Sequence, residues 1–150
     1  MIGIKRIGHV ALRVADPQRS KAFYSGILGF EVVEEDPNHG AIFMTLGEDG
    51  HTVDLFPDLN AGLATPGSPK AGMHHLAFQV ESFEDLRLAY FQLQDSGVSI
   101  RRAMDHVTQQ SIYFSDPDGN GLEIYFEEPD ALDTFRSGRE DSDAPLTFKR

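Results

Sequence analysis

Gly8-His9-Val10-Ala11-Leu12-Arg13-Val14 returns as His74-His75-Leu76-Ala77-Phe78-Gln79-Val80, alike in type at most positions, with the matched histidines 66 residues apart (75 − 9). The segments after the two copies are also alike, so the chain reads as an internal duplication. After the first copy, Asp16-Pro17 supply the N-cap and N1 of a helix whose apolar side holds Ala22, Phe23, Ile27 and Leu28, and Gly29 supplies the stop. After the second, Ser82 and Asp85 make a capping-box start in which Asp does the work of Glu. Phe83, Leu86, Ala89, Tyr90 and Leu93 then come at helical spacing, and Gly97 closes the element.

Short strand candidates come after each helix, at 30–35, 40–46 and 51–57 in the first half and at 98–103, 110–115 and 121–127 in the second. Each half therefore reads βαβββ. Val53-Asp54-Leu55-Phe56 matches Leu122-Glu123-Ile124-Tyr125 at an offset of 69 (123 − 54), and the small excess over 66 fits an insertion in a loop. The expected fold class is α+β, with two tandem βαβββ modules at about 5–58 and 73–128 whose curved mixed sheets form half-barrels around a central metal cavity. Residues 59–72, rich in Gly, Pro, Ala and Ser, read as the linker within one 150-residue domain. Residues 129–150 form an acidic tail of weak periodicity, expected to be partly ordered at most.

Side chains alternate across a strand, so Val10, Leu12 and Val14 share one face and His9, Ala11 and Arg13 the other. The same parity sets Leu76, Phe78 and Val80 against His75, Ala77 and Gln79, and Leu122, Ile124 and Phe126 against Glu123 and Tyr125. His9, His75 and Glu123 are thus expected to point away from the helix-packed core. Two histidines and one carboxylate suffice to hold a metal while leaving positions open for substrate and oxygen. The plainer alternative is that each histidine makes a satisfied hydrogen bond at a strand end, but two equivalent histidines and a carboxylate on polar faces favour a joint ligand role.

The chain has no cysteine, which excludes disulfides, thiolate zinc sites, iron-sulfur clusters and a cysteine nucleophile, so any metal is held by nitrogen and oxygen. A hydrophobic content of 40% with 25% charged residues is ordinary for a globular protein. The formal net charge of −11 argues against binding nucleic acid or an anionic membrane and favours small-molecule chemistry. With neither a membrane-length apolar run nor an apolar signal core, the expected location is the cytoplasm.

Four features together resemble the vicinal oxygen chelate superfamily, which includes glyoxalase I, bleomycin- and fosfomycin-resistance proteins, methylmalonyl-CoA epimerases and type I extradiol dioxygenases. They are the His9 strand, Phe23-Tyr24 with Leu28-Gly29-Phe30, His74-His75-Leu76-Ala77-Phe78, and Tyr113-Phe114-Ser115-Asp116-Pro117-Asp118-Gly119-Asn120-Gly121-Leu122-Glu123. The resemblance covers roughly residues 5 to 128 and implies paired βαβββ modules around a metal, commonly in a homodimer. Within the superfamily the chain is most similar to small catechol 2,3-dioxygenase-like proteins. Extradiol enzymes carry a histidine at the start of the strand matching His51-Thr52-Val53, another shortly before the tyrosine strand, here His106, and a tyrosine ten positions before the carboxylate ligand. Tyr113 meets that spacing (123 − 113 = 10), while His106 lies closer to it than in the larger enzymes (113 − 106 = 7).

The resemblance implies Fe(II), or else Mn, Ni or Zn, held by His9, His75 and Glu123, with an aromatic diol and dioxygen as partners. His51 would then take and return a catechol proton, and His106 and Tyr113 would hydrogen-bond the bound oxygens. Each has a plain alternative: His51 as an exposed turn residue, His106 as a surface pair with Asp105, Tyr113 as strand packing. His39 reads as a loop residue and His74 as a support for His75. Asp54, equivalent to Glu123, departs from the dioxygenase pattern. As a fourth ligand it would suit a glyoxalase I-type lyase or an epimerase; its shorter side chain favours hydrogen-bonding a ligand histidine instead. A bleomycin-resistance-type binder that needs no metal is the nonenzymatic alternative.

Overall fold

A computed structural model describes residues 5–47, 50–58, 73–138 and 143–150. The chain forms two compact units, Met1–Leu63 and Ala64–Arg150. The linker expected at 59–72 lies outside the described residues.

Unit one runs β1 (Val10–Val14), α1 (Pro17–Gly26), β2 (Glu31–Glu35), β3 (Ile42–Thr45) and β4 (Val53–Pro57). Its sheet has the order β1-β4-β3-β2, with β1 parallel to β4 and the other pairs antiparallel. Unit two repeats the plan in β5 (Leu76–Gln79), α2 (Phe83–Asp95), β6 (Arg102–Asp105), β7 (Gln109–Ser115) and β8 (Gly121–Glu127), then adds α3 (Ala131–Ser137) and β9 (Ala144–Pro145). The second sheet is ordered β5-β8-β7-β6-β9, again with its first pair parallel. The α+β class and the tandem βαβββ plan are therefore as the repeat predicts, and each sheet is open rather than closed into a barrel.

Local chemistry accounts for the helices. Asp16 accepts from the Gln18 and Arg19 amides at 3.0 and 3.1 Å, which satisfies two donors that the first turn of α1 leaves without helical partners. At the other end Gly29 takes φ +80°, and the Phe30 N–H turns back to the Tyr24 carbonyl at 3.0 Å, the bond a left-handed stop residue permits. Ser82 caps α2 by accepting from the Asp85 amide at 3.1 Å. Asp85 departs from the capping-box expectation: its carboxylate accepts from the Ser82 hydroxyl at 2.6 Å, the nearer group for an acid one methylene shorter than Glu.

Parity holds on the core side, where Leu12, Val14, Leu55, Ile112, Phe114 and Leu122 are buried. The strand expected at 98–103 is the least accurate boundary, since ladder pairing covers Arg102–Asp105. Val98 is still occupied by the end of α2, donating to the Leu93 carbonyl at 2.9 Å, and contact with β7 begins only with the Arg101 amide on the Tyr113 carbonyl at 2.7 Å. The acidic tail, expected to be partly ordered at most, is described at 129–138 and 143–150. It supplies α3 and a fifth strand, which β6 accepts because its outer edge would otherwise present unpaired backbone groups.

Candidate metal centre

The two parallel pairs share one register. Ala11 lies opposite Asp54 on β4, and Ala77 lies opposite Glu123 on β8. His9 and His75 each precede their alanine by two residues, so each shares a face with its unit's carboxylate. On the other flank Phe43 pairs with Asp54 and Tyr113 with Glu123, which makes phenylalanine and tyrosine internal counterparts.

In unit one, His9, His51 and Asp54 gather one ligand atom each within 4.8 Å of one another. Asp54 is only 2% exposed. Its Oδ1 lies 2.7 Å from His51 Nδ1, whereas Oδ2 is 3.8 Å from His9 Nε2. A carboxylate only accepts, so His51 carries its hydrogen on Nδ1 when neutral and turns Nε2 outward from that bond. Its ring packs at 4.4 Å on His9 and edge-on to Phe43 at 5.7 Å. His51 is therefore a half-buried, oriented imidazole rather than an exposed turn residue, and the short bond of Asp54 goes to it rather than to the candidate ligand His9.

In unit two, Glu123 is also 2% exposed. Burying a carboxylate is costly unless it is hydrogen-bonded and paired. His75 Nε2 meets Glu123 Oε2 at 2.8 Å, and Gln109 Nε2 donates to Oε1 at 3.0 Å. His74 supports its neighbour as expected, with Nδ1 2.7 Å from His75 Nδ1. This side of the sheet leaves no room for a β-carbon at residue 121: one built there meets the His74 carbonyl oxygen at 2.7 Å. Gly121 therefore lets β8 approach the backbone that carries His75.

Tyr113 extends the cluster. Its hydroxyl is 2.9 Å from His106 Nε2, its ring stands 5.7 Å from that of His75, and the Arg102 guanidinium lies 4.5 Å over its face. Burial first, then the Glu123 charge, push its pKa from the ordinary 10.0 up to about 12, so the phenol stays protonated at neutral pH. His106 is not a surface partner of Asp105, whose carboxylate instead accepts from the Val107 amide at 2.8 Å. Its Nδ1 lies 2.8 Å from Asp143 Oδ1. His39 is an exposed turn residue bonded to Asp36.

The structure thus brings together His75 with Glu123, Tyr113 with His106, and His9 with His51 and Asp54. The expected ligand set draws on both units, His9 from the first and His75 with Glu123 from the second. Sequence reading missed Gln109 and Asp143, and it quoted Gly121 within the motif without a role. Strand parity held a signal for Gln109, since Gln109, Ser111 and Tyr113 alternate onto one face of β7. Nothing in the tail's composition marked Asp143.

The sequence profile of the Glyoxalase/Bleomycin resistance protein/Dioxygenase superfamily matches residues 6–124. This chain belongs to that superfamily. Among curated superfamily proteins it is similar to biphenyl-2,3-diol 1,2-dioxygenase 3 of Rhodococcus globerulus, 32% identical over 92% of this chain and 68% of that protein. It is also similar to an ethylmalonyl-CoA/methylmalonyl-CoA epimerase of Cereibacter sphaeroides, 33% identical over 67% of this chain and 75% of the other. The crystal structure of a glyoxalase family protein from Enterococcus faecalis superposes with a TM-score of 0.67 at 32% identity, covering 83% of this chain and 99% of that one. The superfamily's relatives thus span more than one reaction. Among the described residues no helix is long and apolar enough to cross a membrane.

Proposed function

We propose that this chain is a metal-dependent extradiol dioxygenase that opens the ring of a catechol-like small molecule, with His9, His75 and Glu123 as metal ligands. The observation that carries the reading is the trio in unit two, where the Tyr113 hydroxyl meets His106 at 2.9 Å, opposite the candidate ligand Glu123 in the ladder. A protonated phenol beside a ligand carboxylate suits the binding of substrate oxygens rather than simple metal storage.

The donors fit a first-row divalent ion: imidazole nitrogens and carboxylate oxygens, with the two carboxylates buried and no thiolate in the chain. Fe(II) is the proposed occupant, and Mn, Ni and Zn share the same donor preferences. His9, His75 and Glu123 would hold the ion, which would supply the means to activate a diol and dioxygen together. His51, its Nδ1 tied to Asp54, takes a diol proton on Nε2 and returns it later. Tyr113 and His106, which hydrogen-bond each other in the free chain, are the pair that would turn to the oxygens that gain charge once substrate is bound. A homodimer in the cytoplasm, without nucleic-acid or membrane partners, completes the reading.

Metal analysis of anaerobically purified protein, followed by oxygen uptake with a panel of catechols, tests it. Iron near one per chain and a yellow ring-fission product are expected. Stoichiometric iron without turnover of any diol would overturn it.

One observation favours a lyase or epimerase instead: Asp54 Oδ2 lies within 3.8 Å of His9 Nε2, in reach of becoming a fourth ligand. Asp54→Ala separates the readings. A collapse in metal affinity supports the four-ligand site, and retained affinity with altered turnover supports Asp54 as the partner of His51.

A further inference from the structure

We infer that Asp143, delivered by the C-terminal strand, is a positioning residue that sets the tautomer of His106 and so orients the hydrogen bond to Tyr113. The inference rests on the dioxygenase reading for its consequence in catalysis, though not for its geometry.

The segment that follows Asp143 is fastened at several points up to Arg150. Asp105 pairs with Ala144 and Met104 with Pro145 in the β6–β9 ladder, and the Leu146 amide donates to the Ala103 carbonyl at 2.9 Å. Further on, the Phe148 ring lies 5.8 Å from Phe83 and 4.7 Å from Tyr90 on α2, Arg87 donates to the Lys149 carbonyl at 3.2 Å, and Arg150 pairs with Asp95. Asp143 is the residue immediately before β9, so its carboxylate is brought to His106 by a strand register rather than by a swinging tail.

The histidine is fastened as firmly. Its amide donates to the Gln109 carbonyl at 2.8 Å, and its carbonyl accepts from the Thr108 amide at 2.8 Å around Val107. Val107 holds φ +71°, a conformation in which a β-branched side chain is strained. The turn therefore persists against its own preference and aims the imidazole between Asp143 and Tyr113, at 2.8 and 2.9 Å.

Hydrogen-bond chemistry decides the rest. A carboxylate has no hydrogen to give, so the Asp143 contact requires N–H at Nδ1. The neutral ring then presents the Nε2 lone pair to the Tyr113 hydroxyl, and the protonated ring presents an N–H. Without the carboxylate, either nitrogen of the neutral ring could hold the hydrogen, and the direction of the Tyr113 bond would be lost. A carboxylate that fixes a catalytic imidazole in this way is familiar from hydrolase triads, where Asp→Asn inverts the tautomer while leaving the geometry in place.

Asp143→Asn is the corresponding test, because it preserves size and the β9 pairing. Long-range proton-nitrogen spectra of metal-free protein with labelled histidines report the tautomer directly. Wild type is expected to carry the His106 hydrogen on Nδ1, Asp143→Asn to move it to Nε2, and Asp143→Glu to restore Nδ1. With iron loaded and catechol as substrate, Asp143→Asn is expected to lower kcat by about 10–100-fold with little change in KM, as loss of an orienting partner does. A wild-type His106 protonated on Nε2, or an Asp143→Asn protein with unchanged tautomer and kcat, would overturn the inference. If wild type turns over no diol while the tautomers behave as stated, the dioxygenase reading falls and the positioning role stands.

Discussion

The two modules share a backbone plan and a register, yet their buried carboxylates meet different partners. Asp54 and Glu123 occupy the same ladder position, but the shorter acid reaches back to His51 just before its own strand, while the longer one spans to His75 just before the neighbouring strand. Phe43 faces Asp54 where Tyr113 faces Glu123, so the first module packs an apolar ring against its imidazole and the second supplies a hydroxyl. Duplication preserved what backbone hydrogen bonds dictate. Divergence came where one methylene or one hydroxyl changes which partner a buried carboxylate meets.

Exchanging the roles of the two acids gives the largest expected effect. On the proposed ligand set, Glu123→Ala should weaken Fe(II) binding by well over the about 10–100-fold that losing an orienting partner costs, and Asp54→Asn should stay within that range. Metal competition against a chelator measures both. Equal losses would mean that the carboxylates act alike and that the modules are not functionally distinct.

Residues 121 and 52 sit two positions before the paired acids. Thr52 tolerates a side chain, with its amide on the Met44 carbonyl and its own carbonyl accepting from Val10. Gly121 does not, because a β-carbon would stand 2.7 Å from the His74 carbonyl oxygen. Gly121→Ala is expected to cost about 1–3 kcal/mol in urea unfolding and to loosen metal binding with it, whereas Thr52→Ala should cost less. A Gly121→Ala protein with unaltered stability would show that the two strand entries are equally permissive.

The Tyr113 and Phe43 contrast is open to alkaline titration of the metal-free protein. The native state holds the Tyr113 proton that the unfolded chain releases near 10.0, so the contribution of this group to stability is intact below that pH and is lost as pH rises toward about 12. Tyr113→Phe should remove that phase from the tyrosinate absorbance and flatten the stability profile over the same window. Persistence of the phase in the variant would assign it to another tyrosine.

The helix caps give the smallest difference. Asp16 satisfies two amides and Ser82 one, so Asp16→Ala should cost about 1–2 kcal/mol and Ser82→Ala about 0.5–1 kcal/mol in thermal or urea unfolding. A reversed order would mean that packing of α2 depends on its cap more than that of α1 does.

Much of the contrast between the modules is legible in the sequence because it rests on short-range rules. Strand parity put Leu12 and Val14 in the core and His9 on the opposite face, and the repeat alone paired Asp54 with Glu123, which the shared register bears out. Boundaries were weaker where helix ends compete with strands for backbone partners, as at Val98. Side-chain partners were weaker still. A roster of acids and histidines does not say that Asp54 prefers His51 to His9, because the answer turns on a difference of about 1 Å between two contacts made in the folded state (3.8 against 2.7 Å).

By itself the sequence determined the duplication, the βαβββ order, the caps, and which side chains carry nitrogen and oxygen donors, since period, parity and donor chemistry are properties of neighbours along the chain. Only the tertiary structure decided that the acidic tail becomes the edge strand of the second sheet, that Asp143 meets His106, and that Gly121 clears the way for His75. Those contacts join residues that share no local pattern. They arise where an unpaired strand edge, a buried carboxylate or a missing β-carbon leaves a requirement that a distant segment meets.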